Sequence, residues 1–209
     1  MRISKYTMLR ALVLVALLVA TTVLAACGGD DGENESMAGN GTDLAFIEGM
    51  IPHHRDAVDM AKVAQDRAQS RFVKDLAQDI IKTQNAEIAV MERIKDDLSG
   101  VKAQDLGVSE HDMGMDNDLK SLKSADPFDR EFIDMMIPHH QGAIRMAHVE
   151  LSKGGSEALK NIAKDVVAAQ SREIKAMNEH RKAEYGAPSP AGGVPEDMPG
   201  GEDMSDHGM

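Results

Sequence analysis

Cysteine is all but missing from this chain: the single thiol, Cys27, excludes an internal disulfide framework and any thiolate zinc cluster. Basic residues are scarce too, 23 Lys and Arg against 35 Asp and Glu in 209 residues. The resulting formal charge of -12 excludes a nucleic-acid partner, because phosphate contacts need a concentrated basic surface. Tryptophan is absent, and there are only two Tyr and four Phe. No phosphate loop, nucleophile elbow or glycine-rich dinucleotide motif occurs. Against these shortages stands one excess: 15 methionines, soft and polarizable thioethers.

Long apolar runs are limited to the N-terminus, where Arg2, Lys5 and Arg10 precede an uncharged stretch from Ala11 to Ala26. That stretch ends in Leu24-Ala25-Ala26-Cys27, followed by Gly28-Gly29-Asp30-Asp31. The pattern matches a bacterial lipoprotein signal, with cleavage before Cys27 and lipidation of its thiol and new amino group. A plain membrane-spanning anchor with an incidental Cys is the alternative, but the run falls short of the ~20 residues that a span needs. Loss of residues 1–26 takes the formal charge from -12 to -15. The expected product is an acidic, extracytoplasmic protein, lipid-anchored to a bacterial membrane. Its Cys27 is consumed by lipid and is no free nucleophile.

Residues 27–41 read as a flexible tether of Gly, Asp, Glu, Asn and Ser. Four of the seven prolines lie beyond Gly186, so residues 186–209 are expected to be a disordered tail. Between them the apolar spacing is helical, with no strand alternation. This region repeats itself at an offset of 86 residues without a gap. Met50-Ile51-Pro52-His53-His54 recurs as Met136-Ile137-Pro138-His139-His140, and Ala57, Met60 and Ala61 recur as Ala143, Met146 and Ala147. Gln84, Glu87, Ile88 and Met91 recur as Gln170, Glu173, Ile174 and Met177. Each unit reads as a helical hairpin, about 43–98 and 129–185, and two hairpins make an all-α four-helix bundle over residues 42–185. Helices are expected near 41–66, 70–98, 127–152 and 156–185. Asp126-Pro127 with Asp129 reads as the N-cap of the third, Asn40 holds the aligned position for the first, and Ser156 caps the fourth.

At about 100° per residue, Met50, His53, His54 and Met60 lie near the apolar stripe of the first helix, and Glu87 at the centre of the second. The second unit repeats this with Met136, His139, His140, Met146 and Glu173, and adds His180 where the first has Ile94. A carboxylate in a bundle core is costly unless paired or coordinated. With the hairpin turn centred near residues 68–69, Met50 is expected level with Glu87 and His53 with Gln84. Two adjacent layers then gather His, Met, Gln and Glu from four helices, a candidate metal site. Pro52 and Pro138, directly before each His pair, suggest a bend that aims these side chains.

Together these motifs resemble the CopM-like family, long catalogued as a domain of unknown function. The resemblance covers roughly residues 43–185 and rests on the whole pattern appearing twice in register. It implies a ferritin-like four-helix bundle, exported from bacteria, with members that bind copper and sometimes silver through Met and His. The family's functional residues map onto Met50, His53, His54 and Met60, and onto Met136, His139, His140 and Met146.

Ligand chemistry points the same way, since thioethers select Cu(I) and Ag(I) and imidazole suits copper in either oxidation state. Copper is therefore the expected ion, Cu(I) above all, with silver second and iron disfavoured. Secondary ligand clusters are His111, Met113 and Met115 in the interhairpin linker and Met198, Met204, His207 and Met209 in the tail. For Met60, Met91, Met146 and Met177, core packing is the preferred role. The function expected is copper buffering, storage or delivery, with a copper-accepting protein as partner and no catalysis. One rival is a structural or adaptor lipoprotein in which His and Glu simply pair. Another is a di-iron oxidase, for which Glu87 and Glu173 would serve but helices one and three offer Met-x-x-His in place of Glu-x-x-His.

Overall fold

A computed structural model describes residues 39–116 and 118–196. Five helices carry them, with no strand among the described residues: α1 Gly41–Arg67, α2 Arg71–Asp97, α3 Leu119–Ser124, α4 Phe128–Lys153 and α5 Glu157–Tyr185. The four long helices form the all-α bundle of two hairpins, α1 with α2 and α4 with α5. α1 also packs along α4, whereas α2 and α5 scarcely touch. The inner pair therefore buries side chains on most of its surface, and the outer pair buries one stripe each.

Local chemistry sets the helix ends. Asn40 caps α1 in a full capping box with Asp43, and Ser70 and Ser156 cap α2 and α5 by accepting from Val73 and Leu159 N–H. α4 differs from expectation: Asp126 is not its cap, Pro127 holds that position, and no side chain caps the helix. Asp129 is used elsewhere. Its carboxylate accepts the backbone N–H of Gln69 and Ser70 in the α1–α2 turn, at 2.9 and 2.7 Å. Asp43, its repeat equivalent, accepts those of Gly155 and Ser156 in the α4–α5 turn, at 2.9 and 2.8 Å. Each hairpin thus holds the turn of the other, and α1 and α4 run antiparallel.

Two apolar cores result. One gathers the second half of α1, the first half of α2, most of the first half of α4 and the end of α5, around Met60, Met136, Met177 and Phe132. The other gathers the complementary halves around Phe46, Met50, Met91 and Met146. Repeat-equivalent methionines fall in opposite cores, so the pseudo-twofold relation between the hairpins exchanges the two. Both α1 and α4 run unbroken through Pro52 and Pro138.

The described residues of the connection between hairpins pack on the bundle as well. Leu106 is buried in one core and Leu122, from α3, in the other, so the linker spans the bundle from core to core. The tail departs from expectation over its first residues. Residues 186–196 fold back because polar groups on α4 and α5 satisfy their backbone: Gln141 donates to the Ala191 and Gly193 carbonyls, Asn178 to that of Gly192, and Arg181 to those of Ala187 and Pro188. No helix among the described residues is long and apolar enough to cross a membrane.

Candidate metal centre

Between the two cores lies a polar waist of four histidines. His53, His54, His139 and His140 are 0–1% exposed. Because α1 and α4 run antiparallel, the inner members of the two pairs meet: the rings of His53 and His139 lie 3.7 Å apart, centroid to centroid, tilted by 37°. His54 and His140 flank this pair, each 6.4 Å from its neighbour in sequence. The waist is thus built by the same dipeptide used twice.

Each outer histidine is held by the glutamate of its own hairpin. His54 Nε2 lies 2.7 Å from Glu87 Oε2, and His140 Nε2 lies 2.6 Å from Glu173 Oε2. A carboxylate only accepts, so Nε2 donates. Helical side chains lean towards their own N-termini, so across each antiparallel hairpin the histidine reaches away from the turn and the glutamate towards it, and the two meet although the glutamate lies farther from the turn. Glu87 and Glu173 are about one-fifth exposed, so they form the edge of the waist.

The inner histidines have unequal partners. His53 Nε2 donates to the backbone carbonyl of Met113, 2.8 Å away, which lies in the interhairpin linker. His139 Nε2 instead lies 3.4 Å from Asp56 Oδ2, a charge contact without hydrogen-bond geometry. Burial, with the neighbouring histidines, holds His53 well below the ordinary imidazole pKa. The same desolvation, opposed by Asp56, takes His139 down to about 4.

The nitrogens on the other side of these rings have no protein partner. Nδ1 of all four histidines is buried without a hydrogen bond, as are Oε1 of Gln84 and of Gln170. In a neutral imidazole that donates through Nε2, the lone pair resides on Nδ1. His53, His54 and His140 therefore carry buried lone pairs on Nδ1 with Nε2 braced by a hydrogen bond, the arrangement that orients a metal-binding histidine. Among the described residues no three His, Cys, Asp or Glu side chains form a ready metal cage. An ion here would use few imidazoles, with thioether help.

Other expected ligands are placed as follows. Met50 and Met136 are fully buried, one turn before His54 and His140 on the same helices. Met60 and Met146 are buried in opposite apolar cores, and Met146 Sδ abuts Gly49. His180 lies apart, stacked on Phe72 at 4.3 Å with a buried, unpartnered Nε2. His111 is exposed and pairs with Asp116 at 3.0 Å, whereas Met113 and Met115 are partly covered. Cys27, Met198, Met204, His207 and Met209 lie outside the described residues. Sequence reasoning missed Asp56 and Gly142, and their signal was a mismatch: they occupy equivalent repeat positions with unlike residues.

A family model described as a domain of unknown function, DUF305, matches residues 43–181. The chain belongs to this family. Among solved structures it is similar to CopM in the Cu(II)-bound form, at 37% identity over 68% of this chain and 97% of that one, with a TM-score of 0.62. CopM is also known in Cu(I)-bound, Ag-bound and apo forms, each 36% identical to this chain. A DUF305 protein from Streptomyces coelicolor is 28% identical over 71% of this chain and 95% of its own, with a TM-score of 0.63. An uncharacterized protein of Acanthamoeba polyphaga mimivirus is 42% identical over 55 residues, 26% of this chain and 36% of that protein. The chain thus matches little more than a third of that viral relative's length. The all-α bundle read from the repeat is the fold of this DUF305 family.

Proposed function

We propose that this DUF305 protein binds a soft monovalent metal ion, Cu(I) or Ag(I), at the histidine waist, and serves in buffering, storage or delivery of copper outside the cytoplasm. The observation that carries the reading is the set of four buried Nδ1 atoms without partners, three of them on rings anchored through Nε2. An unpaired buried acceptor costs about 1–3 kcal/mol. A bound ion relieves that cost for the nitrogens it coordinates. The absence of a three-ligand cage among the described residues fits d10 monovalent ions, which accept few donors, better than Cu(II) or iron. Met50 and Met136 are the nearest thioethers along the chain, and thioether with imidazole favours Cu(I).

The relatives support the class of ligand, since CopM is solved with Cu(I), Cu(II) and Ag. The Streptomyces coelicolor relative is described as secreted, in keeping with export here through the signal ending at Cys27. Lipid attachment at Cys27 then keeps the bundle at a membrane surface, where a copper-accepting protein is the natural partner. No catalytic step is assigned. The di-iron alternative wants a carboxylate-rich centre, but Glu87 and Glu173 are each engaged by a histidine at the edge of the waist.

The test is a competitive Cu(I) titration against a chromophoric chelator, comparing the wild type with the double variant His53→Gln/His139→Gln and monitoring helicity in both. Tight binding that falls at least about tenfold in a helical variant, roughly 1.4 kcal/mol, supports the waist. Equal binding in both moves the ion to the linker or tail, and no competition at all removes the copper reading.

A further inference from the structure

We propose that the linker segment 107–116 is the gate of the waist, a strap docked by its backbone whose release lets an ion reach His53 and His139. The inference rests on the metal reading above and adds the route of entry. It starts from the broken symmetry of the inner histidines. On one side of the waist, position 56 is aspartate, and its carboxylate lies against His139. On the equivalent side, position 142 is glycine, and the space a side chain would fill is taken by Met113: a Cβ on Gly142 would overlap the Met113 carbonyl. That carbonyl is the acceptor for His53 Nε2.

The docking is made of backbone. Gly114 has φ +66°, a left-handed conformation that suits glycine, and a Cβ there would strike the Pro138 carbonyl and the His139 amide. Arg145 Nη1 donates to the Asp112 carbonyl at 2.9 Å, and the Ser109 hydroxyl donates to Asp112 Oδ2 at 2.6 Å to hold the turn. Two glycines, one on each partner, thus allow the strap to lie directly on α4. Leu106 and Leu122, buried in opposite cores, fix the ends on either side of the waist. The middle carries Val108 and Met113, which are only partly buried against one core, so lifting it costs those contacts and leaves the fully buried core residues in place. Local opening of such a segment costs less than opening the bundle.

The strap also carries the right chemistry for a gate. His111 is exposed, Met113 and Met115 are partly covered, and Glu110, Asp112 and Asp116 make the segment acidic. Cations are drawn to such a surface, and soft donors are at hand on the piece that moves.

The experiment measures access to the inner histidines in metal-free protein. Wild type, Gly142→Ala and Arg145→Gln are treated with diethyl pyrocarbonate, and modification is followed residue by residue by mass spectrometry. Asp59→Ala, at the repeat equivalent of Arg145, is the control. The expected result is slow modification of His53 and His139 in the wild type and control, and acceleration of about tenfold or more in Gly142→Ala. A smaller acceleration is expected in Arg145→Gln, which loses one bond to the strap from a half-buried side chain outside both cores, and none at His111. Backbone hydrogen exchange in α1 and α4 should stay unchanged. Stopped-flow binding of Ag(I) should show association and dissociation rates rising together in Gly142→Ala, with affinity moving less than either. Unchanged modification of the inner histidines in both variants overturns the gate. So does acceleration shared equally by His54, His140 and the helix amides, which would mean that the whole bundle loosens. A wild type that takes no Ag(I) defeats the metal reading alone, while the modification rates still decide whether the strap controls access.

Discussion

At the scale of single residues, the waist turns on which nitrogen of each imidazole is engaged. A carbonyl or carboxylate at Nε2 fixes the proton there, so Met113, Glu87 and Glu173 leave the lone pair of three rings on a buried Nδ1. The His-His dipeptide was legible in the sequence because it occurs twice, but its partners were not. Helical periodicity gives the height of a residue but not how far its side chain leans along the axis, which is what brings His54 to Glu87. The depressed pKa of the inner pair also moves the pH window. Desolvation holds His139 at about 4 and His53 well below 6.5, so the folded metal-free protein refuses protons that the unfolded chain accepts. The sign follows: stability is complete above about pH 6.5 and is lost as pH falls towards 4. The metal-free wild type should therefore lose melting temperature over that interval, and His53→Gln/His139→Gln should lose less. Parallel curves for the two proteins would show that the inner rings do not resist protonation. For bound metal, proton competition at these two rings begins lower than an ordinary histidine site would suggest.

At the scale of elements, the reciprocal clasp of Asp43 and Asp129 joins the hairpins. Sequence reading placed Asp129 as a first-turn acid and did not single out Asp43, and their backbone partners are 59 or 60 and 112 or 113 residues away, beyond any local pattern. Asp129→Ala strands two N–H groups in the α1–α2 turn, and urea unfolding should register a loss of about 2 kcal/mol. An unchanged midpoint would mean that the turn finds other acceptors. The clasp at Asp43 has a second carboxyl beside it. Glu150 is fully buried, and a Cβ on Gly154 would overlap Oε1 of Glu150, so glycine at the end of α4 makes room for it. Burial, and then the neighbouring Asp43, push Glu150 up to about 8. Burial acts on Asp43 in the same direction, but the N–H groups of Asn40, Ser156 and Gly155 outweigh it and hold Asp43 below the usual carboxylate range. Glu150 therefore keeps its proton at neutral pH while Asp43 stays ionised. The contribution of a raised carboxyl is complete below about 4.5 and lost as pH rises through about 8. Glu150→Gln should therefore melt closer to the wild type at pH 6 than at pH 9, where the variant should be the more stable. A constant difference between the two would place the proton elsewhere. The first unit has Ala64 at the equivalent position, so this response belongs to one end of the bundle.

At the scale of the whole molecule, the repeat made the architecture readable: one offset fixed four helices, their pairing and the level of the histidines. What it could not reveal is where the repeat breaks. Gly142 against Asp56, the strap between Leu106 and Leu122, and the returning segment held by Gln141 and Arg181 have no equivalents in the other unit, so no pattern announced them. They cover the bundle asymmetrically, and the same asymmetry governs how an ion would act on stability. The waist separates two apolar cores, and its unpaired nitrogens weaken the joint between them. An ion bound there ties α1 to α4 at the one level where packing is polar, so its effect should reach both cores. At an Ag(I) concentration about 100 times the dissociation constant, linkage adds about 2.7 kcal/mol, or roughly 5–10 °C in melting temperature for a domain of this size. The gain should vanish on removal of silver with a chelator and be absent in His53→Gln/His139→Gln. Methionines exposed on unfolding also bind soft ions, which lowers the gain without changing its sign. Equal stabilisation of the wild type and the double variant would assign the bound silver to surface methionines and leave the waist without an ion.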